Sequence, residues 1–250
     1  KATTLSKFLA SGDGGDEIFG GYTFRYKKFL EITTNNSNVE DKIKAYLSCH
    51  ERDRVPDQDQ LFHKNINFNW GEIYKTLYPY FENKLHRLDQ VLLADYNGKL
   101  LYNFSPVNTS LQQHFELIPI SPFLTNDIIS YILPMKQQFK YNHNENIGKL
   151  LLRKLLVKYN ADMLVTNEKL GFNVNTQNLW EKHGKRLCEK YLTGGYIIEN
   201  QIINPNWVDK YINKENLEIK YVNKFLGLLA VEIWYRLFIV KDMDSNTTLD

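Results

Sequence analysis

Ser11-Gly12-Asp13-Gly14-Gly15-Asp16-Glu17 is the stretch of this sequence best equipped for chemistry, with three carboxylates and three glycines in seven residues. Glycine lets a backbone come close to a ligand and leaves its N–H donors unobstructed, while carboxylates at this density suit a divalent metal or a cationic group. Together they point to a magnesium-nucleotide site. A solvated surface turn is the alternative that spacing alone leaves open. Better-known phosphate loops do not fit. Gly148-Lys149 is followed by Leu150 rather than Ser or Thr, and Gly12-x-Gly14 lacks the third glycine of the dinucleotide fingerprint. Asp13 and Asp16 also lack the closing Glu of an EF-hand loop.

The elements that must hold this loop are partly legible. The apolar run Leu5–Ser11 reads as a buried strand ending in the glycines, and in open α/β sheets ligands bind at the carboxyl ends of strands. Phe24-Arg25-Tyr26-Lys27-Lys28-Phe29 starts a helix whose basic residues are expected on its surface. From about Val39 onward apolar residues recur at three- and four-residue spacing, so most of the chain is expected to be helical. Pro119 and Pro122 mark an extended segment before a helix over 127–133. A polar turn over 141–148 precedes a helix over 149–159, on which Lys149 and Arg153 share a face and form a solvated rim. The last strong element is a helix over 222–240 in which Glu232 and Arg236 are spaced to pair. The tail 243–250 is polar and expected to fray.

Composition removes several function classes. The 250 residues carry 31 Lys+Arg against 29 Asp+Glu, a net charge of +2 that gives no electrostatic case for nucleic acid or a membrane surface. The longest apolar run, 225–240, contains Glu232 and Arg236 and is too short to cross a bilayer. Cys49 and Cys188 stand alone and the six histidines are scattered, so neither a disulfide framework nor a zinc site is indicated, and a cytoplasmic setting suits two reduced thiols. Lys1 is not an initiator Met, and the chain is expected to be a piece of something longer.

Ser11–Tyr22, SGDGGDEIFGGY, resembles the second signature of the asparagine synthetase family, SG[DE]G[AGS]DE[LIV]FGGY, over twelve residues. Further elements follow in the family's order: Pro122-Phe123-Leu124, Lys149-x-x-Leu152-Arg153, Lys169-Leu170-Gly171-Phe172, Trp180, and a closing helix with Leu229, Glu232, Trp234 and Arg236. The resemblance covers nearly the whole chain. It implies an α/β fold with a parallel sheet of the adenine nucleotide alpha hydrolase-like type, of which this stretch supplies a predominantly α-helical part with about one N-terminal strand. Residues 1–250 would be the C-terminal portion of one synthase domain, with strand and acidic loop over 1–22, a helical part over 23–242 and the tail after it.

In that family ATP activates a carboxylate as an acyl-adenylate and ammonia then displaces AMP to give an amide. The resemblance implies that Ser11, Gly12, Asp13, Gly14 and Gly15 line the nucleotide and intermediate, that Asp13 orients the amine or takes its proton, that Asp16 binds Mg²⁺, and that Lys169 offers a fixed cation to the leaving pyrophosphate. ATP and Mg²⁺ are the implied cofactors. The partners are small molecules, aspartate or another carboxylate and ammonia from a glutaminase domain, with a homodimer of the parent chain left open. Three departures from the family stand out. The Ser-Gly-Gly-x-Asp-Ser pyrophosphate loop and the N-terminal glutaminase with its leading Cys do not occur here, so the stretch is not expected to turn over alone. Around Pro122, Ile118, Ile120 and Thr125 take positions that are charged in the family, and Glu116 lies two residues too early to fill the Glu slot. That change fits an apolar replacement of a structural ion pair. It equally fits a related amidotransferase or lactam-forming ligase acting on another carboxylate. A non-catalytic remnant of the fold is the competing class.

Overall fold

The computed structural model describes residues 2–52, 54–166 and 175–249. The chain divides into two compact units, Lys1–Cys49 with Tyr74–Lys169, and His50–Ile73 with Leu170–Asp250. Among the described residues no helix is long and apolar enough to cross a membrane.

In the first unit β1 (Phe8–Ala10) and β2 (Ile118–Ile120) pair in parallel, Phe8 opposite Ile118 and Ala10 opposite Ile120. The single N-terminal strand expected from sequence therefore has a partner, formed by the segment around Pro119. A proline inside a strand is tolerated here because Ile118 N–H donates to Lys7 O at 2.7 Å and Ser11 N–H donates to Ile120 O at 2.9 Å. The N of Pro119 faces away from β1, so its missing N–H costs no bond to that strand. The pair is not buried as expected: Phe8 is 57% and Ile118 50% exposed.

A parallel pair needs a long crossover, and here it is helical. It runs through α1 (Gly15–Phe19), α2 (Thr23–Ile32) and α3 (Val39–Ser48), and reaches β2 along the helix Arg87–Ala94, a wider-wound stretch Asp95–Phe104 and the helix Ser105–His114. Asn38 caps α3 by accepting from Asp41 N–H at 2.8 Å, and Glu40 and Asp41 complement its positive end. The π-type winding ends just before Pro106, which cannot donate a helical hydrogen bond. The predicted polar turn over 141–148 is a hairpin, β3 (Tyr141–Asn142) with β4 (Ile147–Gly148). It leads through Lys149, in the left-handed region at φ 57°, into the helix Leu150–Lys158.

The main core of this unit gathers Tyr26, Phe29, Ile43, Tyr46, Phe81, Leu88, Val91 and Leu92. Each such side chain contributes roughly 1.5–3 kcal/mol on burial. Arg25, expected on a helix surface, lies inside. Its Nη1 and Nη2 donate to the two oxygens of buried Asp95 at 3.2 and 2.9 Å, and Tyr46 Oη donates to the same carboxylate at 2.9 Å. Burial works against the guanidinium, but the facing Asp95 carboxylate and the surrounding tyrosines outweigh it and push Arg25 above its ordinary value. Lys27 and Lys28 do remain outside the core, Lys27 beside Glu31 and Lys28 donating to Ser48 O at 3.2 Å.

Among its described residues the second unit has helices and one bridge between Phe62 and Ile203. Its core holds Trp180, Cys188, Trp207, Val222 and Phe225. The final helix runs Ile219–Trp234 and continues as a wider-wound turn over Tyr235–Val240. Glu232 and Arg236 pair as expected, Nε to Oε1 at 2.7 Å. Glu232 also accepts from the Tyr196 and Ile197 N–H groups at 3.1 and 3.0 Å, so it caps the short helix Tyr196–Glu199. The tail is less free than its composition suggests, because Met243 and Leu249 pack against this core.

Candidate functional site

The acidic loop leaves β1 at its carboxyl end, and because β2 is parallel, Ser121 emerges at the same end. Their hydroxyls lie 3.3 Å apart, Ser11 Oγ to Ser121 Oγ. The loop tightens as Gly15 N–H donates to Gly12 O at 3.1 Å, and Gly14 takes φ +84° as the N-cap of α1. A side chain at Gly14 would be strained by that φ and would run into Leu124. At Gly12 the space is open, so its backbone is free to meet a ligand.

The Pro122-Phe123-Leu124 segment supplies the floor. Leu124 lies beneath Gly14, and the Phe123 ring sits 3.5 Å from where a Cβ of Gly15 would be and packs edge-on to Phe19 at 5.2 Å. Phe123 and Leu124 therefore act through packing under the loop.

The three loop carboxylates separate into different environments. Glu17 is 3% exposed and accepts from Tyr22 Oη at 2.5 Å, which places it in the frame behind the loop rather than in the site. Burial, reinforced by Glu17, pushes the Tyr22 phenol far above its ordinary value. Asp16 faces Lys149, Nζ to Oδ1 at 2.8 Å, with the side chains 26% and 42% exposed. Lys149 thus belongs to the site instead of the solvated rim read from sequence. Its left-handed backbone, held where Lys149 N–H donates to Phe19 O at 3.1 Å, turns the side chain away from the helix that follows. Arg153 has a structural task, with Nε donating to Gly148 O at 2.9 Å and Nη2 to Thr166 O at 2.7 Å.

Asp13 is half-buried and meets a neutral partner. Asn108 Nδ2 donates to its two oxygens at 3.5 and 3.4 Å from the helix Ser105–His114. Asn108 and Ser121 were not evident from sequence, since they stand about a hundred positions from the loop and belong to no short motif. Only the parallel pairing and its helical crossover bring them there.

The structure therefore gathers Ser11, Gly12, Asp13, Gly14, Gly15 and Asp16 in one loop. Lys169, with Gly171 and Phe172, lies outside the described residues. Among the described residues no group of three or more His, Cys, Asp or Glu gathers to hold a metal. Asp16 offers a single carboxylate, which suits an ion such as Mg²⁺ that takes most of its ligands from phosphates and water. Neither a groove of about 380 Å³ beside Leu61 and Leu228 in the second unit nor a cavity of about 200 Å³ beside Arg87 and His143 in the first is lined by the loop.

Comparison with protein families matches residues 2–236 to the family described as asparagine synthase. No curated protein and no solved structure matches the chain.

Proposed function

The chain belongs to the asparagine synthase family, and from that premise, which makes it a ligase, we propose that it forms part of an enzyme that uses ATP to join a carboxylate to ammonia, with aspartate as substrate and asparagine as product. A carboxylate oxygen of aspartate attacks the α-phosphorus of ATP, the bond to the β-phosphate breaks and pyrophosphate leaves. Ammonia, supplied by a glutaminase domain, then forms a C–N bond at the activated carbonyl. The C–O bond to AMP breaks and the surplus proton on nitrogen passes to Asp13.

Ser11, Gly12, Asp13, Gly14 and Gly15 line the nucleotide and the adenylate in this reading. Asp13 holds the amine and accepts its proton, and Lys169 places a fixed cation toward the leaving pyrophosphate. Asp16 gives one carboxylate to Mg²⁺, which neutralises charge building on the pyrophosphate. The observation that supports the reading best is the division of labour on one loop at a strand's carboxyl end, where Asp16 is matched to a lysine and Asp13 to an uncharged amide.

Aspartate-dependent pyrophosphate release by the full-length protein tests it. Asp13→Asn and Lys169→Ala are each expected to lower the rate by about 10²–10⁴-fold. Unchanged rates in both variants would remove the role assignments. Failure to bind Mg·ATP in a calorimetric titration would remove the ligase reading and favour a non-catalytic remnant.

A second reading keeps the chemistry and changes the carboxylate. Ile118 and Ile120 are 50% and 42% exposed, so they do not replace a charged pair by burying apolar area in its place. Apolar residues at these positions, which are charged in the family, motivate this reading, and a screen in which aspartate is inert while another carboxylate drives pyrophosphate release would establish it.

A further inference from the structure

We propose that Asn108 is the positioning residue for Asp13, holding its carboxylate in orientation through a neutral amide so that the acid keeps its full charge for a cationic amine or a proton. The contact rests on the structure alone, and its catalytic consequence rests on the amide-ligase reading above.

Asn108 Nδ2 spans both oxygens of Asp13, at 3.5 and 3.4 Å. A donor shared between two oxygens restrains rotation of the carboxylate plane, whereas a donor to one oxygen leaves the other free to swing. The distances are long for hydrogen bonds, as is common where a catalytic contact tightens only when substrate is bound. Charge decides why an amide suits this place. The neighbouring acid, Asp16, has Lys149 at 2.8 Å. A lysine on Asp13 would satisfy it equally well but would cancel the charge that attracts an ammonium ion and makes the oxygen basic. Asn108 supplies direction without charge.

The rest of the helix face agrees with a polar task. Ser105, Asn108 and Gln112 fall at i, i+3 and i+7 of the helix Ser105–His114, one stripe of its surface. Ser105 Oγ and Gln112 Oε1 are both buried without a hydrogen-bond partner among the described residues. A stripe serving only to pack this helix would gain by being apolar, because a buried polar atom left unmade is costly. The wider-wound stretch Asp95–Phe104 sits just ahead of this helix, and such windings occur often at functional sites because they rotate the face that follows.

The test is a double-mutant cycle in the full-length protein with ATP, Mg²⁺, aspartate and ammonium. Asn108→Ala is expected to lower kcat about 10- to 100-fold with KM for Mg·ATP within about twofold. In an Asp13→Asn background the same change should cost nothing further, since its effect passes through Asp13. Asn108→Lys should fall to the level of Asp13→Asn. An equal loss in both backgrounds, or none in either, would overturn the proposal. A contact readout that needs no turnover separates this from failure of the ligase reading: the Asn108 side-chain amide signals in a ¹⁵N spectrum should move with Asp13→Asn and hold with Asp16→Asn. Amide signals indifferent to Asp13→Asn would overturn the proposal whatever the activity.

Discussion

Asp95 in the first unit and Glu232 in the second are both wholly buried and both take three hydrogen bonds, two of Asp95's from Arg25 and one from Tyr46, and Glu232's from Arg236 and two backbone N–H groups. Asp13 on the acidic loop is half-buried and, among the described residues, has a single neutral amide spread across both oxygens. A carboxylate that holds the fold must have its lone pairs filled, because an unfilled one in a low-dielectric interior is expensive. A carboxylate that handles a substrate must keep some lone pairs available. The same side-chain chemistry is thus sorted into framework and site by how completely it is satisfied.

The sharpest way to break that contrast is to remove one member of each kind. Asp95→Ala leaves the Arg25 guanidinium buried without its partner and is expected to destabilise the protein by about 3–5 kcal/mol. Asp13→Asn keeps the shape of a half-exposed side chain and is expected to cost less than about 0.5 kcal/mol of stability. Urea unfolding of the two variants checks this. Comparable losses would show that Asp13 is as much a part of the framework as Asp95.

The loop is legible in the sequence but its surroundings are not, for a physical reason. The glycines and acids of Ser11–Glu17 are contiguous and carry their own signal. Pairing across the fold carries none. Nothing in Phe24–Phe29 tells that Arg25 turns inward to Asp95 while Lys27 stays outside, because the choice is made by a residue seventy positions away. The sequence pattern puts Lys149 at the start of a helix face, yet its left-handed backbone sends it to Asp16. Helix periodicity did place the closing helix and its Glu232–Arg236 pair, since both are local. The second strand was hidden by Pro119, whose usual meaning as a strand breaker does not hold when its nitrogen faces away from the partner.

Gly21 allows a finer cut through the comparison. A Cβ at this position would overlap the Asp16 carboxylate and lie 2.6 Å from Lys149 Cε. Both neighbours are ends of side chains, so they can move, and Gly21→Ala is expected to cost about 1 kcal/mol of stability while pushing the Asp16–Lys149 pair apart. If that pair belongs to the site, Mg·ATP affinity measured by calorimetry should fall by about tenfold, a difference of about 1.4 kcal/mol. If it belongs to the framework, the stability loss should appear with the affinity unchanged.

Lys140 tests the rule from the side of a base. It is 1% exposed, nearly as buried as Asp95, yet among the described residues its ammonium makes one hydrogen bond, to Leu133 O at 3.0 Å, where an ammonium has three donors. Burial pushes it down from 10.5 to about 8, and the attraction of Asp89 offsets only part of that. Asp89 is itself partly desolvated, which pushes its carboxyl up, and it lies near His86, whose imidazole burial holds below its ordinary value. Between pH 8 and 10.5 the unfolded chain therefore binds more protons at this lysine than the folded one, so the contribution of Lys140 to stability rises with pH across that window, while the buried Cys188 thiol and Tyr141 phenol, both pushed above their ordinary values, act in the opposite sense. Below pH 8 both forms carry the proton and the full penalty applies. Lys140→Met should raise stability at neutral pH by on the order of 2 kcal/mol, and its advantage over the wild type should shrink as pH rises toward 10. Urea midpoints of the two proteins from pH 7 to 10 measure it. A gap between the two midpoints that stays constant across this range would mean that Lys140 is satisfied like the framework acids, by contacts beyond Leu133.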